Sequence, residues 1–259
     1  MRAEPLGLIA GSGRLPLLVA RAAQRPVVAI GHKGETDPAL NPQAWVKLGQ
    51  LGRIVEVLRE AGVSEAVFCG GIRKPRLFDV RPDWLGLKAL SRMRSFGDDA
   101  ALRAIASALE DEGVRIVSPL PLVPGLLAPR GPIGARAFSQ EQRDDAARGL
   151  QVAKALGAQD VGQTVVIKRG VVLAVEAIEG TDACIARGGA LAKGALVVKG
   201  RKPQQDDRFD VPAVGPRTIA ALAAAECSAL AVEAGASLVL DREELAQAAD
   251  EAGIAVEGI

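Results

Sequence analysis

Residues 199–215 read KGRKPQQDDRFDVPAVG, placing Lys199, Arg201 and Lys202 ahead of Asp206, Asp207 and Asp210 within twelve positions. Carboxylates hold hard divalent cations such as Mg²⁺, which bridge polyphosphates through one or two carboxylates and water. Ammonium and guanidinium groups neutralise phosphate oxygens, so opposite charges in one loop share a purpose wherever a metal-bound diphosphate is handled. The other reading of the same charges is a salt-bridged surface loop with no ligand. AVEAIEGTD, residues 174–182, offers a second acidic group. Period two puts Glu176 on the face of Ala174 and Ile178. Glu179, at the strand exit, is the better metal candidate, with Asp182 and Thr181 beside it; either of the last two would serve equally well as the cap of the next helix.

Two glycine loops follow strand-like runs. GSGRLP, residues 11–16, sits where a dinucleotide-binding fingerprint would, and Gly11, Ser12, Gly13, Arg14 and Leu15 would bring backbone and helix N-terminus to a phosphate. Pro16 stands where the third glycine belongs, and AIGHKGE has no acid directly at the end of the second strand. Both departures count against a nicotinamide cofactor, and a tight turn is the plain alternative. CGGIRKP, residues 69–75, repeats the arrangement with Gly70, Gly71, Arg73 and Lys74. His32 is the one histidine, expected at a solvated loop position, and no G-x-S-x-G elbow is present. Carboxylates and lysines are therefore the chemical groups to expect.

These residues sit on a pattern of alternating strands and helices. LGLIA (6–10), PVVAI (26–30), AWVKLG (44–49), EAVFCGG (65–71) and VRIVS (114–118) read as strands. Helices are expected between them, including one over 99–112, which implies a mostly parallel Rossmann-like sheet over residues 1–125. A Pro/Gly-rich linker is expected over 126–138, and an α/β domain with a mixed sheet over 139–259. Ser139 and Gln142 form a capping box for a helix ending near Gly157. QTVVIKRG and VVLAVEAIEG read as an antiparallel hairpin turning at Arg169-Gly170, followed by a helix from Thr181, the strand ALVVK (195–199), a helix with Pro216 in its first turn, and the runs SALAVEA and SLVL. REELAQAADEAG reads as the closing helix.

Composition narrows the classes. The chain of 259 residues is 49% apolar, with no Tyr, five Phe and two Trp, so Ala, Val and Leu fill a core in which helices approach sheets closely. Thirty-two basic against 31 acidic residues leave no broad basic surface, so nucleic acid is not an expected partner. Cys69, Cys184 and Cys227 lack the paired spacing of a zinc site and read as buried thiols of a reducing compartment. With no signal peptide pattern and no uninterrupted apolar span, the expectation is a cytosolic protein.

The motifs GLIAGSGRLP, GGIRKP, GDDAALR (97–103), AVEAIEGTD, KPQQDDRFDVPAVGP and AVEAGASLVLDRE occur in an order that resembles the LpxI-type UDP-2,3-diacylglucosamine pyrophosphatases of lipid A biosynthesis. The resemblance covers nearly the whole chain; Arg201 stands where the pattern suggests an uncharged residue. It implies a Mg²⁺-dependent hydrolase, with Mn²⁺ as the other suitable ion, that cleaves UDP-2,3-diacylglucosamine to UMP and 2,3-diacylglucosamine 1-phosphate. Water would attack the phosphorus on the uridine side. Two domains with the site in the cleft between them, a homodimer, and transient contact with the cytoplasmic face of the inner membrane are further implications. On this reading Asp206 is the essential carboxylate, as metal ligand or as base. Asp210, Glu179 and Asp182 are further ligands, while Asp207 faces solvent. Lys74, Lys199, Lys202 and Thr181 bind substrate with Gly11, Ser12, Gly13, Arg14, Leu15, Gly70 and Gly71. Two other functions remain: an oxidoreductase using a nucleotide cofactor, and a carrier that binds acylated sugar nucleotides without metal and releases no UMP.

Overall fold

The computed structural model describes residues 3–72, 81–93, 98–209 and 211–259, the side chains of 98 and 99 excepted. Its contacts divide the chain into two units, Met1–Pro124 with Asp206–Asp210, and Gly125–Gln205 with Val211–Ile259.

In the first unit the strands are β1 (Leu6–Ala10), β2 (Val27–His32), β3 (Ala44–Val46), β4 (Glu65–Cys69) and β5 (Arg115–Ile116). All five residues of β1 are buried, as a central parallel strand covered on both faces requires. Every pairing is parallel and the order is β3-β2-β1-β4-β5, so the chain winds outward to β3 and then returns to the other side of β1. That reversal places the carboxyl ends of β1 and β4 side by side, the position where open α/β sheets hold ligands. Helices α1 (Leu15–Ala22), α2 (Leu51–Glu60), α3 (Trp84–Ser91) and α4 (Asp98–Asp111) connect the strands. Leu51, Ile54, Val55 and Leu58 give α2 a buried face at helical spacing. The sequence pattern did not reveal α3. Its start is fixed by Asp83, whose carboxylate accepts from the N–H of Gly86 at 2.9 Å and of Gly52 at 2.7 Å.

The second unit contains β6 (Gly131–Pro132), α5 (Gln140–Ala158), β7 (Thr164–Lys168), β8 (Val171–Val175), α6 (Thr181–Leu191), β9 (Leu196–Lys199), β10 (Ala213–Val214), α7 (Pro216–Ala224), β11 (Ala229–Val232), β12 (Leu238–Val239), α8 (Arg242–Glu251) and β13 (Ala255–Gly258). Its main sheet has the order β6-β13-β11-β9-β7-β8 and is mixed: β9, β11 and β13 are mutually parallel, with antiparallel pairs at either side. The expected capping box is present, with Gln142 N–H donating to the Ser139 hydroxyl at 3.2 Å and the Gln142 carboxamide accepting from Ser139 N–H at 2.9 Å. The expected hairpin turns at Arg169 and Gly170, both at positive φ (49° and 74°). Buried Asp145 of α5 accepts both turn N–H groups, at 2.8 and 2.6 Å, so the turn donors are not left unpaired. Strand β13 is a correction: REELAQAADEAG does not close the fold, because four further residues pair with β11 and β6.

Small residues set how closely the layers approach. A Cβ at Gly188 of α6 would stand 2.5 Å from Val166, and one at Gly149 of α5 would stand 2.5 Å from Val198. Along β7, Val166 belongs to the core under α6, α7 and α8, while Val165 and Ile167 belong to the core under α5. Period two thus gives one strand to two cores, and each fully buried aliphatic side chain contributes roughly 1.5–3 kcal/mol. The three cysteines are buried and unbridged, and burial pushes the Cys227 thiol up to about 11. Among the described residues no helix is long and apolar enough to cross a membrane.

His32 does not occupy a solvated loop. It ends β2 in a buried position, its Nδ1 lies 3.0 Å from the Ala10 carbonyl, and Thr36 Oγ1 donates to the same carbonyl at 2.5 Å. Burial lowers the imidazole pKa from its ordinary value, with the Ala10 hydrogen bond and the Glu35 charge opposing that shift. A group with a depressed folded pKa leaves the unfolded state binding more protons on acidification, so stability is full above about pH 6.5 and falls as pH drops further. Chemical denaturation at pH 7.5 and pH 5.5 should therefore show a loss in the wild type that is reduced in His32→Gln; equal losses in the two proteins would contradict the buried neutral imidazole.

Candidate functional site

The charged loop leaves β9 at Lys199 and is tied down at its root within the second unit. Glu233, one residue beyond β11, accepts from Lys154 Nζ of α5 at 2.6 and 2.7 Å and from the N–H of Arg201 at 2.7 Å. Lys154 Nζ also donates to the Arg201 carbonyl at 2.9 Å, so one ion pair holds both sides of the residue where the loop begins. Lys202 Nζ pairs with Asp160 at 2.6 Å, Gln204 donates to the Gly157 carbonyl at 2.7 Å, and Arg201 Nη2 donates to the Gln205 carbonyl at 2.8 Å. Lys202, expected to contact phosphate, thus holds the loop against the end of α5.

Asp206 begins the short segment that belongs to the first unit. Its Oδ1 accepts from the backbone N–H of Arg208 at 3.1 Å and from Arg208 Nε at 3.0 Å. Its Oδ2 accepts from Arg208 Nη2 at 2.8 Å and from Arg103 Nη1 of α4 at 3.2 Å. Arg208 Nη1 reaches Glu110, two turns further along α4, at 3.1 Å. Both guanidiniums lie over the ring of Phe209, at 4.7 Å for Arg208 and 5.7 Å for Arg103. Phe209 packs against the core of the first unit, with its ring centroid 6.2 Å from that of Phe68 in β4. The Arg208 hydrogen bond, helped by the charges of Arg208 and Arg103, holds the Asp206 carboxyl below the usual carboxylate range, against the opposing effect of burial. Asp207 is a correction: the residue is half-buried and its Oδ1 is buried, so the side chain is not freely solvated.

A second polar group forms within the second unit at the start of α6. Thr181 Oγ1 donates to Glu176 at 2.9 Å and accepts from Lys199 Nζ at 3.1 Å, which brings together two residues expected to bind substrate. Neither Thr181 nor Asp182 caps the helix; the N-cap is Gly180, and the Thr181 hydroxyl is committed to Glu176. Glu179 is engaged by Arg187 at 2.6 Å, and Asp182 is exposed in the first turn.

The two glycine loops of the first unit hold each other. Gly11 N–H donates to the Cys69 carbonyl at 2.8 Å, and Ser12 N–H donates to the Gly71 carbonyl at 2.7 Å, which also accepts the Ser12 hydroxyl at 2.8 Å. A Cβ at Gly11 would stand 2.3 Å from the Gly71 oxygen, and one at Gly70 would stand 2.3 Å from the Ser12 oxygen. Glycine at 11 and 70 is explained by this contact between loops. Gly13, at φ +89°, has nothing near its missing side chain, and Leu15 opens α1. The helix follows Arg14 as N-cap with no side-chain cap. Lys74, Arg73 and Asp210 lie outside the described residues.

No group of three or more His, Cys, Asp or Glu side chains among the described residues is placed to hold a metal ion. The described residues therefore do not form a cage of protein ligands. Both oxygens of Asp206, the carboxylate singled out for a metal, accept from arginine donors. Sequence reading did not single out Arg103, Arg208, Phe209, Lys154 or Glu233. Arg103 ends the motif GDDAALR, Arg208 and Phe209 lie inside the run DDRFD and Glu233 inside AVEAGA, so motif position was the available signal, but no local periodicity reports a pairing across a hundred residues.

Two family profiles cover the chain. That of the LpxI N-terminal domain matches residues 5–126, and that of the LpxI C-terminal domain matches residues 129–257. A UDP-2,3-diacylglucosamine pyrophosphatase LpxI from Caulobacter vibrioides is 36% identical over 271 aligned positions, covering 98% of this chain and 97% of the relative. With both domains matched in order and the relative aligned almost end to end, the chain belongs to the LpxI family.

Proposed function

We propose that the protein hydrolyses the pyrophosphate bond of UDP-2,3-diacylglucosamine, releasing UMP and 2,3-diacylglucosamine 1-phosphate in lipid A biosynthesis. The observation that supports this most is the end-to-end relationship to a protein of that name. We further propose that the reaction uses Mg²⁺ or Mn²⁺, that the enzyme works as a homodimer in the cytoplasm, and that it meets its lipid-bearing substrate at the cytoplasmic face of the inner membrane.

Hydrolysis of a diphosphate needs its charge neutralised, a water positioned and the departing phosphate stabilised. When bound, Mg²⁺ supplies charge neutralisation and a more acidic water. Asp206 is the carboxylate that would hold it in this reading, with Asp210 four residues on and Glu179 and Asp182 as further candidates. A carboxyl held below its ordinary pKa is ionised at neutral pH but has little affinity for a proton. Lys199, oriented through Thr181, presents a cation at the carboxyl end of β9 and suits a phosphate oxygen. Water attacks the phosphorus on the uridine side, so UMP carries the new oxygen.

Two outcomes test this. Excess chelator should abolish UMP release and added Mg²⁺ should restore it; full turnover in chelator would remove the metal from the mechanism. Asp206→Asn keeps the size of the side chain but loses its charge, so kcat should fall by about 100-fold or more, the scale set by losing one preorganised electrostatic group. Substrate affinity should largely survive, because buried acyl chains contribute roughly 0.8 kcal/mol per methylene. Asp207→Asn should retain most of the rate, and a reversal of the two results would show that the neighbouring aspartate carries the chemistry.

A further inference from the structure

The arrangement around Asp206 differs from an ordinary surface ion pair in its convergence. Two guanidiniums reach the same oxygen, Asp206 Oδ2, from separate elements: Arg103 from α4 at 3.2 Å and Arg208 from the loop at 2.8 Å. Both lie over one aromatic ring, that of Phe209, which is itself seated against Phe68. A shared cation–π neighbour and a shared acceptor oxygen bring the N–H donors of both side chains to one place, and arginine binds oxyanions through such convergent hydrogen bonds. Both arginine side chains are partly exposed, at 44% and 35%, so a ligand can reach them, while Asp206 is 18% exposed. Arg208 keeps a second partner in Glu110, so it can release Asp206 without losing its place on α4. Exposed ion pairs are weak because water and salt screen them, and a diphosphate brings more charge and more acceptor oxygens than one carboxylate.

We propose that Arg103 and Arg208 form the anion site that takes the substrate's diphosphate, in competition with the Asp206 carboxylate to which both now donate. Binding the diphosphate then draws the guanidiniums away from Asp206 and frees its oxygens at the reacting centre. The site thus reports the arrival of substrate to the carboxylate that serves the reaction. This rests on the proposed function only for the nature of the diphosphate ligand; the anion site itself stands on the convergence of the two arginines.

The test is titration calorimetry with UDP, and with UMP as the ligand lacking the diphosphate, in metal-free buffer on the full chain. Arg103→Gln and Arg208→Gln should each weaken UDP at least tenfold, with UMP little changed. Arg103→Lys and Arg208→Lys should recover part of the loss. Asp206→Asn, which removes the internal competitor, should bind UDP several-fold more tightly than the wild type. Thermal melts identify a variant that has unfolded, and Asp206→Asn, being nearly isosteric, gives the decisive reading if a glutamine variant does not fold. UDP affinity unchanged within twofold in folded glutamine or lysine variants, or weakened in Asp206→Asn, would overturn the proposal. UMP release from UDP-2,3-diacylglucosamine separates this from the functional reading. If wild type releases none while the UDP pattern holds, the function is wrong and the anion site stands. If UMP is released while UDP affinity ignores both arginines, the anion site is wrong and the function stands.

Discussion

A carboxylate largely withdrawn from water keeps its charge only if donors meet both of its oxygens, and Asp206 gains those donors from two arginines and a backbone N–H. The first unit supplies those donors from a helix and a loop whose places are set by its core. Arg103 is in place because α4 packs against the parallel sheet through Ala106, Ala108 and Leu109, and Glu110 two turns along the same helix steadies Arg208. Phe209 gives the guanidiniums a surface to lie on, and the ring has its own place because Phe68 of β4 stands beneath it. The charge at the candidate reacting centre is thus set by stacking and by a helix face together.

The second unit solves a different problem, holding the root of a loop rich in charge. Glu233 takes a backbone N–H and an ammonium group at once, and Lys154 closes the same ring through the Arg201 carbonyl. Partners are drawn from α5 and from the end of β11, so the loop's exit depends on the parallel part of the sheet being in register, with Lys199 opposite Val232. Basic residues that look like phosphate ligands in sequence divide in the structure. Lys202 is occupied by Asp160, while Lys199 is steered by Thr181 at the head of α6.

Where the fold rests on strong local signals, the sequence was sufficient to read it. Continuous apolar runs announced β1 and β4, the Ser139–Gln142 box announced α5, and the Arg169-Gly170 pair announced the hairpin. Elements without such signals were missed. Helix α3 has eight residues with Trp84 and Leu87 exposed, so no apolar face marks it, and β13 has four residues following a helix that reads as an ending. His32 looked solvated because polar residues surround it in sequence, yet the turn at Thr36 folds it over the end of β1. Of the candidate site, Asp206 stands out in the sequence as a carboxylate in a charged motif. Its partners were not, because Arg103 lies 103 positions away and only tertiary packing brings it near. The expected solvent exposure of Asp207 failed for a related reason: alternation along a short loop does not decide which carboxylate turns inward.

Arg208 and Arg103 hold Asp206 ionised and oriented, and a pH titration of the Asp206 carboxyl carbon by NMR reads that hold at the atom concerned. The midpoint in the wild type should lie below the ordinary aspartate value of 3.8 and rise when Arg208→Gln removes the largest stabilising contact. An ordinary midpoint in the wild type, unmoved in the variant, would contradict it.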